Sequence, residues 1–432
     1  MPDPQTVQPR IGFLVDGDPD TELMTALYEH DSLGVRVRVP YHVWSADLRG
    51  RWWSQGTMFA DDPDRTKHSY SPPSELDYYD NKGTVGLIGC RSGPSTQRFG
   101  GQCPDAGVGM IRASFAIEGA GLAKHYVKPN GLRSEIDGLA YWLGYSALRS
   151  TVSFKKDGSG RAMTTSATPV DDMELGRALN LRAMARATSS GQQTPEVTYR
   201  SQVFLQTFAK APREWSDHLT LHFGVRDLLR IAAWKPLDFQ SHEAASTKET
   251  FTLSGVERQP WYAVRTAVTS MSEATWTVSD RFLFNYADIG RAGVGRWLKL
   301  TNQYARGLDP LVRLLDLAGA TVDAHMMQLG IAMEAVGYQA LIDSGRPPAS
   351  ANSTSVKSRV EFLLVETGNA VTFGTTNFAQ DFADSYNSVK HANRAPVAPA
   401  TKAEHYQQGV QLLRAWIALR LGLKKAVLRD RW

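Results

Sequence analysis

Two patterns of hydrophobic and polar positions divide the chain near residue 290. From about residue 10 to 285, the apolar residues come in short runs interrupted by Gly, Pro, Asn and Asp. From Val35 to Val43 every second residue is Val or Tyr, which predicts a strand with one buried face. Further strands are predicted at Val85–Ile88, Phe115–Ile117, Val197–Phe208, Trp261–Val268 and Trp276–Phe284.

One helix and several turn-forming segments interrupt the strand-rich part. Pro212 to about Trp234 has apolar residues near helical spacing, which predicts a helix inserted among the strands. The stretch Asp61–Asn81 is rich in Asp, Pro and Ser and predicts a long loop. Asp157–Gly160 has the composition of a hairpin turn.

After residue 290 the apolar positions follow a helical period. They recur every three or four residues from Leu311 to Val336, which predicts one long amphipathic helix. Shorter helices are predicted around Val360–Val365 and Phe378–Asn393, and Thr401 with Glu404 has capping-box spacing for a last helix. The predicted fold class is α+β: a β-rich, sandwich-like N-terminal region of residues 1–288, then an all-α bundle of residues 289–432.

Composition narrows the class of protein. The chain is 42% hydrophobic and 21% charged, which is typical of a folded globular protein. A net charge of +4 is too small to imply nucleic-acid binding without a local basic patch. Two cysteines, Cys90 and Cys103, exclude a disulfide scaffold, and we expect no metal or cofactor. Because no run of 18 apolar residues occurs, we expect a cytoplasmic protein without a membrane partner.

The predicted helix near residue 390 carries the most informative polar residues. Asp384, Asn387 and His391 are spaced to share one helix face, with Lys390 adjacent and Arg394 close by. A histidine with cationic neighbours suits metal-independent cleavage of RNA, since imidazole moves the protons and the cations stabilise the phosphorane. The alternative is a solvated helix face with a structural or capping histidine.

Segments in both halves carry a resemblance to a known family. In the helical half they are Leu329–Tyr338, Tyr386–His391 and Trp416–Leu423. They resemble the HEPN domain, a helical nucleotide-binding domain, as found in ApeA-type antiphage abortive-infection proteins. The strand-rich half is similar to the β-rich domain of that family at Gly50–Trp53, Gly86–Gly89, Arg226–Ile231 and the junction from Phe282–Phe284 to Arg296–Leu298.

The resemblance implies a sensing N-terminal domain with a possible phage-derived trigger, and a HEPN-like domain that acts as a homodimeric endoribonuclease on tRNA or mRNA. The family signature is an Arg, often followed by a polar residue, and a His after four to six intervening residues. His391 and Asn387 fit this signature, but Tyr386 occupies the Arg position. The implied site therefore has His391 as acid or base, Asn387 positioning, Lys390 and Arg394 supplying charge to RNA, and Tyr386 without an assigned role.

The sequence leaves two other functions open, and it contains a second match to the Arg-x4-His spacing. The helical domain could be a catalytically silent scaffold that dimerises and binds RNA or a protein. A carbohydrate- or peptide-binding β-module is the third hypothesis, supported only by the strand-rich pattern and by Trp52–Trp53, which equally suits packing in a β-core. Arg213 and His218 match the Arg-x4-His spacing, but chance matches are expected among 48 basic residues and 10 histidines.

Overall fold

The computed structural model of the protein describes residues 9–17, 23–31, 34–42, 52–53, 71–98, 106–156, 160–191 and 197–432. The predicted α+β class is confirmed, since strands dominate the N-terminal part and helices follow from Tyr286 onward. Some predicted features lie outside the described residues, namely Val43, Gly50, Arg51, the 61–70 part of the predicted loop, Cys103 and turn residues 157–159.

The described strands are, in chain order, β1 Arg10–Val15, β2 Met24–Asp31, β3 Gly34–His42, β4 Glu75–Asp80, β5 Gly83–Ile88, β6 Arg91–Arg98, β7 Ala106–Ala113, β8 Phe115–Glu118, β9 Gly131–Ile136, β10 Leu148–Phe154, β11 Arg161–Ala167, β12 Met173–Glu174, β13 Arg182–Ser190, β14 Thr198–Phe208, β15 Phe239–Ala245, β16 Phe251–Leu253, β17 Val256–Arg258 and β18 Tyr262–Thr266. The helices are α1 Leu139–Leu143, α2 Trp215–Ala233, α3 Tyr286–Gln303, α4 Ala305–Arg313, α5 Val322–Asp343, α6 Pro348–Ser353, α7 Val356–Thr367, α8 Phe378–Lys390, α9 Pro399–Arg420 and α10 Lys425–Arg429.

The first compact unit comprises residues 1–135, 206–219 and 239–273 and is built on a β-sheet. Its strands neighbour one another in the order β9-β15-β18-β8-β5-β4-β1-β2-β3-β7-β6. Strand β3 alternates as predicted, with Val35, Val37 and Val39 buried and Arg38 exposed. This alternation places one face of the strand in the hydrophobic core.

Trp52 and Trp53 pack against this sheet. Trp52 is buried in the core cluster, and the Trp53 ring is stacked on Tyr41 at 5.1 Å between centroids. The Trp53 indole N–H donates a hydrogen bond of 2.8 Å to the backbone oxygen of Met110. The packing interpretation of the Trp pair is therefore confirmed.

The second compact unit comprises residues 136–205, 220–238 and 274–432 and contains most of the helices. Buried tryptophans tie its segments together through their indole N–H groups. Trp142 donates to the backbone oxygen of Phe284 at 3.0 Å, and Trp297 donates to that of Gly224 at 2.6 Å. The predicted boundary between residues 288 and 289 stays a prediction.

The predicted strand at Trp276–Phe284 is wrong, because this segment folds back on itself in turns. The Thr277 N–H and hydroxyl both bond the Asp280 carboxylate, at 2.7 and 3.0 Å. The Trp276 ring stacks on Phe282 at 4.0 Å. Local side-chain bonds of this kind offer the backbone an alternative to a strand ladder.

The single long helix predicted from Leu311 to Val336 is also wrong, since α4 and α5 are separate helices. Gly319 has φ +76°, a left-handed conformation that interrupts a right-handed helix. Thr321 then caps α5, its hydroxyl accepting a 3.3 Å bond from the Ala324 N–H. The helical spacing continued across the break because both helices bury apolar residues in the same core.

Candidate functional site

The candidate site lies where α5 and α8 approach closely. Phe382 and Tyr386 of α8 face inward, with exposures of 0% and 1%. Opposite them on α5 is Gly330, where an added Cβ would lie 2.1 Å from the Tyr386 ring. Only a glycine leaves room for this contact, so the two helices are in register at Tyr386.

Tyr386 occupies the signature's Arg position, and its hydroxyl has a carboxylate partner. It donates a 3.1 Å hydrogen bond to Oε2 of Glu334, one turn along α5 from Gly330. Burial raises the pKa of Tyr386 well above its ordinary value, and the negative charge of Glu334 raises it further. Tyr386 therefore stays a neutral phenol in the folded protein and does not supply a positive charge.

Lys390 is bound to the same carboxylate. Its Nζ lies 3.4 Å from Oε1 and 3.5 Å from Oε2 of Glu334, and 5.0 Å from the centre of the Tyr386 ring. Both side chains of the ion pair are partly exposed, at 37% for Lys390 and 26% for Glu334. A pair this exposed is weak, about 0–1 kcal/mol, so Lys390 is able to exchange Glu334 for another anion.

His391 and Arg394 follow the end of the helix. α8 ends at Lys390, three residues before the predicted end, and His391 is the C-cap with extended backbone angles of −127° and 114°. The seven-residue spacing from Asp384 therefore does not place His391 on the helix face. Its N–H donates to the backbone oxygen of Asn387 at 2.9 Å, and the Arg394 N–H donates to that of His391 at 3.1 Å.

The side chains of His391 and Arg394 are exposed, and neither has a side-chain hydrogen bond or ion pair to any residue that the structure describes. Asn387 is half-buried one turn earlier. Asp384 is bonded instead to Gln380, whose amide donates to it at 2.9 Å. The structure thus brings Tyr386 and Lys390 together at Glu334 and leaves His391 and Arg394 open to solvent.

Sequence reasoning missed Glu334 as a site residue and missed a second polar pair. The signal for Glu334 was a glycine followed one turn later by a carboxylate on the same face of α5, within the mostly apolar segment Leu329–Tyr338. Ser385 and His405 form the second pair, with Oγ and Nδ1 2.7 Å apart between α8 and α9. Nothing in the spacing of the sequence links residues 385 and 405.

Glu334 also borders a groove of about 650 Å³ along α4 and α5. Arg306 is exposed in this groove, whereas Arg359 donates to the backbone oxygen of Glu334 at 3.2 Å. Both cations and the carboxylate face the same space, so the groove has mixed charge rather than a uniformly basic lining.

His218, the histidine of the second Arg-x4-His match, is part of the core of the first unit. His218 is fully buried, its Nδ1 lies 2.7 Å from the Thr207 hydroxyl, and its Nε2 lies 3.4 Å from the Pro129 oxygen. Burial lowers the pKa of His218 below its ordinary value. This is a structural histidine with both ring nitrogens occupied.

The comparisons with known proteins bear on the strand-rich part. The model of the ApeA N-terminal domain 1 family matches residues 47–297, more than half of the chain. The chain belongs to the ApeA N-terminal domain 1 family. No curated protein and no solved structure matches it.

Membership in the ApeA family indicates an antiphage defence protein with a β-rich N-terminal region. The match ends within α3, before the helices that carry Glu334 and His391. In the described residues no helix has the length and apolarity needed to cross a membrane. His, Cys, Asp and Glu side chains form no group of three suited to a metal ion in the part of the chain that the structure covers.

Proposed function

We propose that the protein defends against phage by cutting RNA with a HEPN-like helical domain, without a metal ion. In this reaction the 2′-oxygen attacks the adjacent phosphorus and the bond from phosphorus to the 5′-oxygen breaks. A base takes the 2′-hydroxyl proton and an acid protonates the departing 5′-oxygen. The fragments end in a 2′,3′-cyclic phosphate and a 5′-hydroxyl.

The observation that carries the proposal is the exposed pair His391 and Arg394 at the end of α8. An imidazole with no side-chain partner among the described residues is available to both proton transfers. Arg394 lies three residues after His391 in the chain and supplies a permanent charge for the phosphate, which a tyrosine hydroxyl does not.

The remaining residues take supporting roles in this proposal. Lys390 shifts from Glu334 to the phosphate at little cost, because its ion pair is half-exposed. Asn387 is half-buried one turn before His391 and would position the substrate. Tyr386 holds Glu334 and thereby the resting place of Lys390, so we assign it a positioning role.

The partners in the proposal are RNA, a second copy of the chain and an infection signal. The open end of α8 is where a second protomer would complete the site, giving each substrate two copies of His391 and Arg394. The RNA is a tRNA or an mRNA, and the β-rich region would receive the phage-derived trigger.

A cleavage assay tests the proposal. Wild type, His391→Ala and His325→Ala are incubated with total RNA and with tRNA in the presence of EDTA, and fragment ends are analysed. His325 is the control, since it is a histidine of a different helix, α5, whose Nδ1 lies 3.0 Å from the backbone oxygen of Thr321. We expect cyclic phosphate ends from wild type and from His325→Ala only. Equal cleavage by His391→Ala would contradict the proposal.

A second candidate, the catalytically silent scaffold, is favoured by Glu334. This carboxylate occupies the place where a phosphate would have to bind if Tyr386 and Lys390 were the catalytic pair. Cleavage by wild type separates the two candidates, and the Tyr386→Arg variant tests whether the Arg position of the signature binds phosphate here. Its guanidinium would pair with Glu334, so we expect no gain in cleavage if His391 and Arg394 form the site. A silent scaffold would show no cleavage in any variant yet would lose function when its helical interface is broken.

A further inference from the structure

Strands β10 and β11 form a separate two-stranded hairpin in the second unit. They pair with each other from Leu148 opposite Ala167 to Phe154 opposite Arg161, and neither joins another of the described strands. Every residue of the two strands is exposed except Leu148 and Thr165, which are half-buried. A sheet of only two strands has little stability of its own and gains it from a third strand or from a covered apolar face.

One face of the hairpin is apolar. Val152 lies directly opposite Met163, and Phe154 follows two residues after Val152, so the three side chains occupy adjacent positions on the same face. Their exposures are 43% for Val152, 61% for Met163 and 69% for Phe154. Large apolar side chains that are exposed together, rather than singly, mark an interaction surface.

The hairpin is also basic. Arg149 and Lys155 belong to β10 and the residue after it and lie on the face opposite to Phe154, while Lys156 and Arg161 flank the turn. None of the four pairs with a carboxylate in the described ranges. The sequence of the whole hairpin contains one acidic residue against these four basic ones. Such a surface attracts an acidic partner and repels a second copy of itself.

The outer edge of β10 presents unpaired backbone groups. The Lys155 N–H donates to the Gly160 oxygen at 2.9 Å, which fixes which residues bond across the hairpin. In an antiparallel pair, alternate residues direct their N–H and C=O away from the partner strand. Here these residues are Ser150, Val152 and Phe154, and their backbone groups have no partner among the described residues. An edge of this kind is a template for an added strand.

We propose that the β10 edge binds an extended segment of another protein in which apolar and acidic residues alternate. The segment pairs with the backbone of Ser150–Phe154. Its apolar side chains then lie beside Val152 and Phe154, and its acidic ones lie on the other face with Arg149 and Lys155. A membrane or an RNA would leave the N–H and C=O groups of the edge without strand-like partners. The proposal does not rest on the cleavage proposal.

Binding of peptide pools to the immobilised full chain tests the proposal. The peptides have about seven residues, the length of β10. The first pool alternates Val, Leu, Ile or Phe with Glu or Asp, the second has Lys or Arg in place of the acids, and the third groups the acids of the first at one end. We expect the first pool to be retained about tenfold more than the others, and less at about 0.5 M salt. Equal retention of the three pools, or none, would overturn the proposal.

A matched pair of proline variants identifies the edge. Val152→Pro removes one outward N–H of β10 and none of the bonds within the hairpin, so it should weaken binding of the first pool about tenfold. Met163→Pro does the same on the outer edge of β11 and should leave binding within about twofold. Circular dichroism and urea unfolding check that both are folded. Equal binding by a folded Val152→Pro protein and wild type would contradict the proposal.

A variant that leaves the backbone unchanged tests the charge. Lys155→Gln should weaken binding of the first pool about threefold and reduce its salt dependence. No change in either would contradict the proposal.

The other occupants have their own probes, each tested on wild type and Phe154→Ser. They are phosphatidylserine vesicles, a single-stranded oligouridylate, and the protein itself in sedimentation velocity. We expect none of the three to distinguish the two proteins. Vesicle binding, RNA binding or a dimer that is lost in Phe154→Ser would assign the face to that occupant and overturn the proposal.

Discussion

At the scale of single residues, Tyr386 shows that a residue's position in a sequence motif does not determine its contacts in the fold. The sequence aligned it with the phosphate-binding Arg of the HEPN signature. In the fold it is 1% exposed, packed on Gly330, and bonded to Glu334. A residue's role depends on the helix opposite to it, and no spacing within α8 reveals that helix.

Replacing Tyr386 by Phe tests the positioning role. The loss of one hydrogen bond to a partly hydrated carboxylate should lower the free energy of unfolding by about 1 kcal/mol. RNA cleavage should stay within about twofold of wild type, because the hydroxyl does not touch the substrate. Tyr386→Ala is the contrasting variant and should cost about 3–5 kcal/mol through the cavity it leaves. Urea unfolding and initial cleavage rates measure both; a large loss of cleavage in Tyr386→Phe would show a catalytic hydroxyl.

Gly330 should not tolerate a methyl group. The Cβ of Gly330→Ala would meet the Tyr386 ring at 2.1 Å, so we expect a loss of stability of about 1–3 kcal/mol. Gly295 in α3 is the matched control, because its Cβ would meet nothing within 4 Å. Gly295→Ala should be neutral or stabilising by up to about 1 kcal/mol. Equal unfolding midpoints for both variants would show that α5 and α8 are not in close contact.

His242 predicts how stability depends on pH. Its ring nitrogens lie 2.7 Å from the Ser134 hydroxyl and 2.8 Å from that of Thr269, and burial lowers its pKa from 6.5 to about 3. Below pH 6.5 the His242 side chain binds a proton in the unfolded chain but stays neutral in the folded chain until about pH 3. Stability due to this group is therefore full above pH 6.5 and falls by about 1.4 kcal/mol per unit down to about pH 3.

The measurement is urea unfolding of wild type and His242→Gln at pH 7 and pH 5. Glutamine stays neutral, so the difference in stability between the two proteins should shrink by about 2 kcal/mol at pH 5. A constant difference would mean that His242 has the same pKa in the folded and unfolded chains.

At the scale of elements, the sequence predicted the type of most elements but not all their ends. The strands β3, β5, β8, β14 and β18 and the inserted helix α2 are confirmed. The predicted loop Asp61–Asn81 is wrong in its last part, because Glu75–Asp80 form strand β4, in which Leu76 and Tyr78 alternate with polar residues and are buried. The acidic and proline-rich residues before it concealed that short alternation.

The start of α9 shows why helix ends are hard to predict. The capping-box spacing placed the start at Thr401, but the helix begins at Pro399, with Ala398 as N-cap and no side-chain bond. Proline is well suited to the first helical position because it has no N–H to leave unbonded. The sequence contained both the capping-box spacing at Thr401 and the proline at position 399, and α9 begins at the proline.

Two substitutions test this assignment. Ala398→Ser should stabilise the protein by about 0.5–1 kcal/mol, since its hydroxyl would accept from a free N–H of the first turn. Thr401→Ala should be neutral or slightly stabilising, because alanine is the better residue inside a helix. Thermal unfolding of both variants is the measurement. A loss of about 1 kcal/mol in Thr401→Ala would restore Thr401 as the cap.

At the scale of the whole molecule, the two patterns of hydrophobic and polar positions in the sequence correspond to strands followed by helices. The sequence did not predict that segments 136–205 and 220–238 belong to the same compact unit as the C-terminal helices. Such an arrangement depends on distant contacts, such as Trp297 with Gly224, that local patterns do not encode. The sequence pointed to the candidate residues on and after α8. It did not point to Glu334, which bonds two of them, Tyr386 and Lys390.

The central claim is that this ApeA family member defends cells by cutting RNA at His391. The most direct test is phage challenge of cells that produce wild type, His391→Ala or His325→Ala at equal levels, with RNA ends mapped after infection. We predict that protection and cyclic phosphate ends both persist in the control and disappear together in His391→Ala. Full protection by His391→Ala, with or without cyclic phosphate ends, would contradict the account.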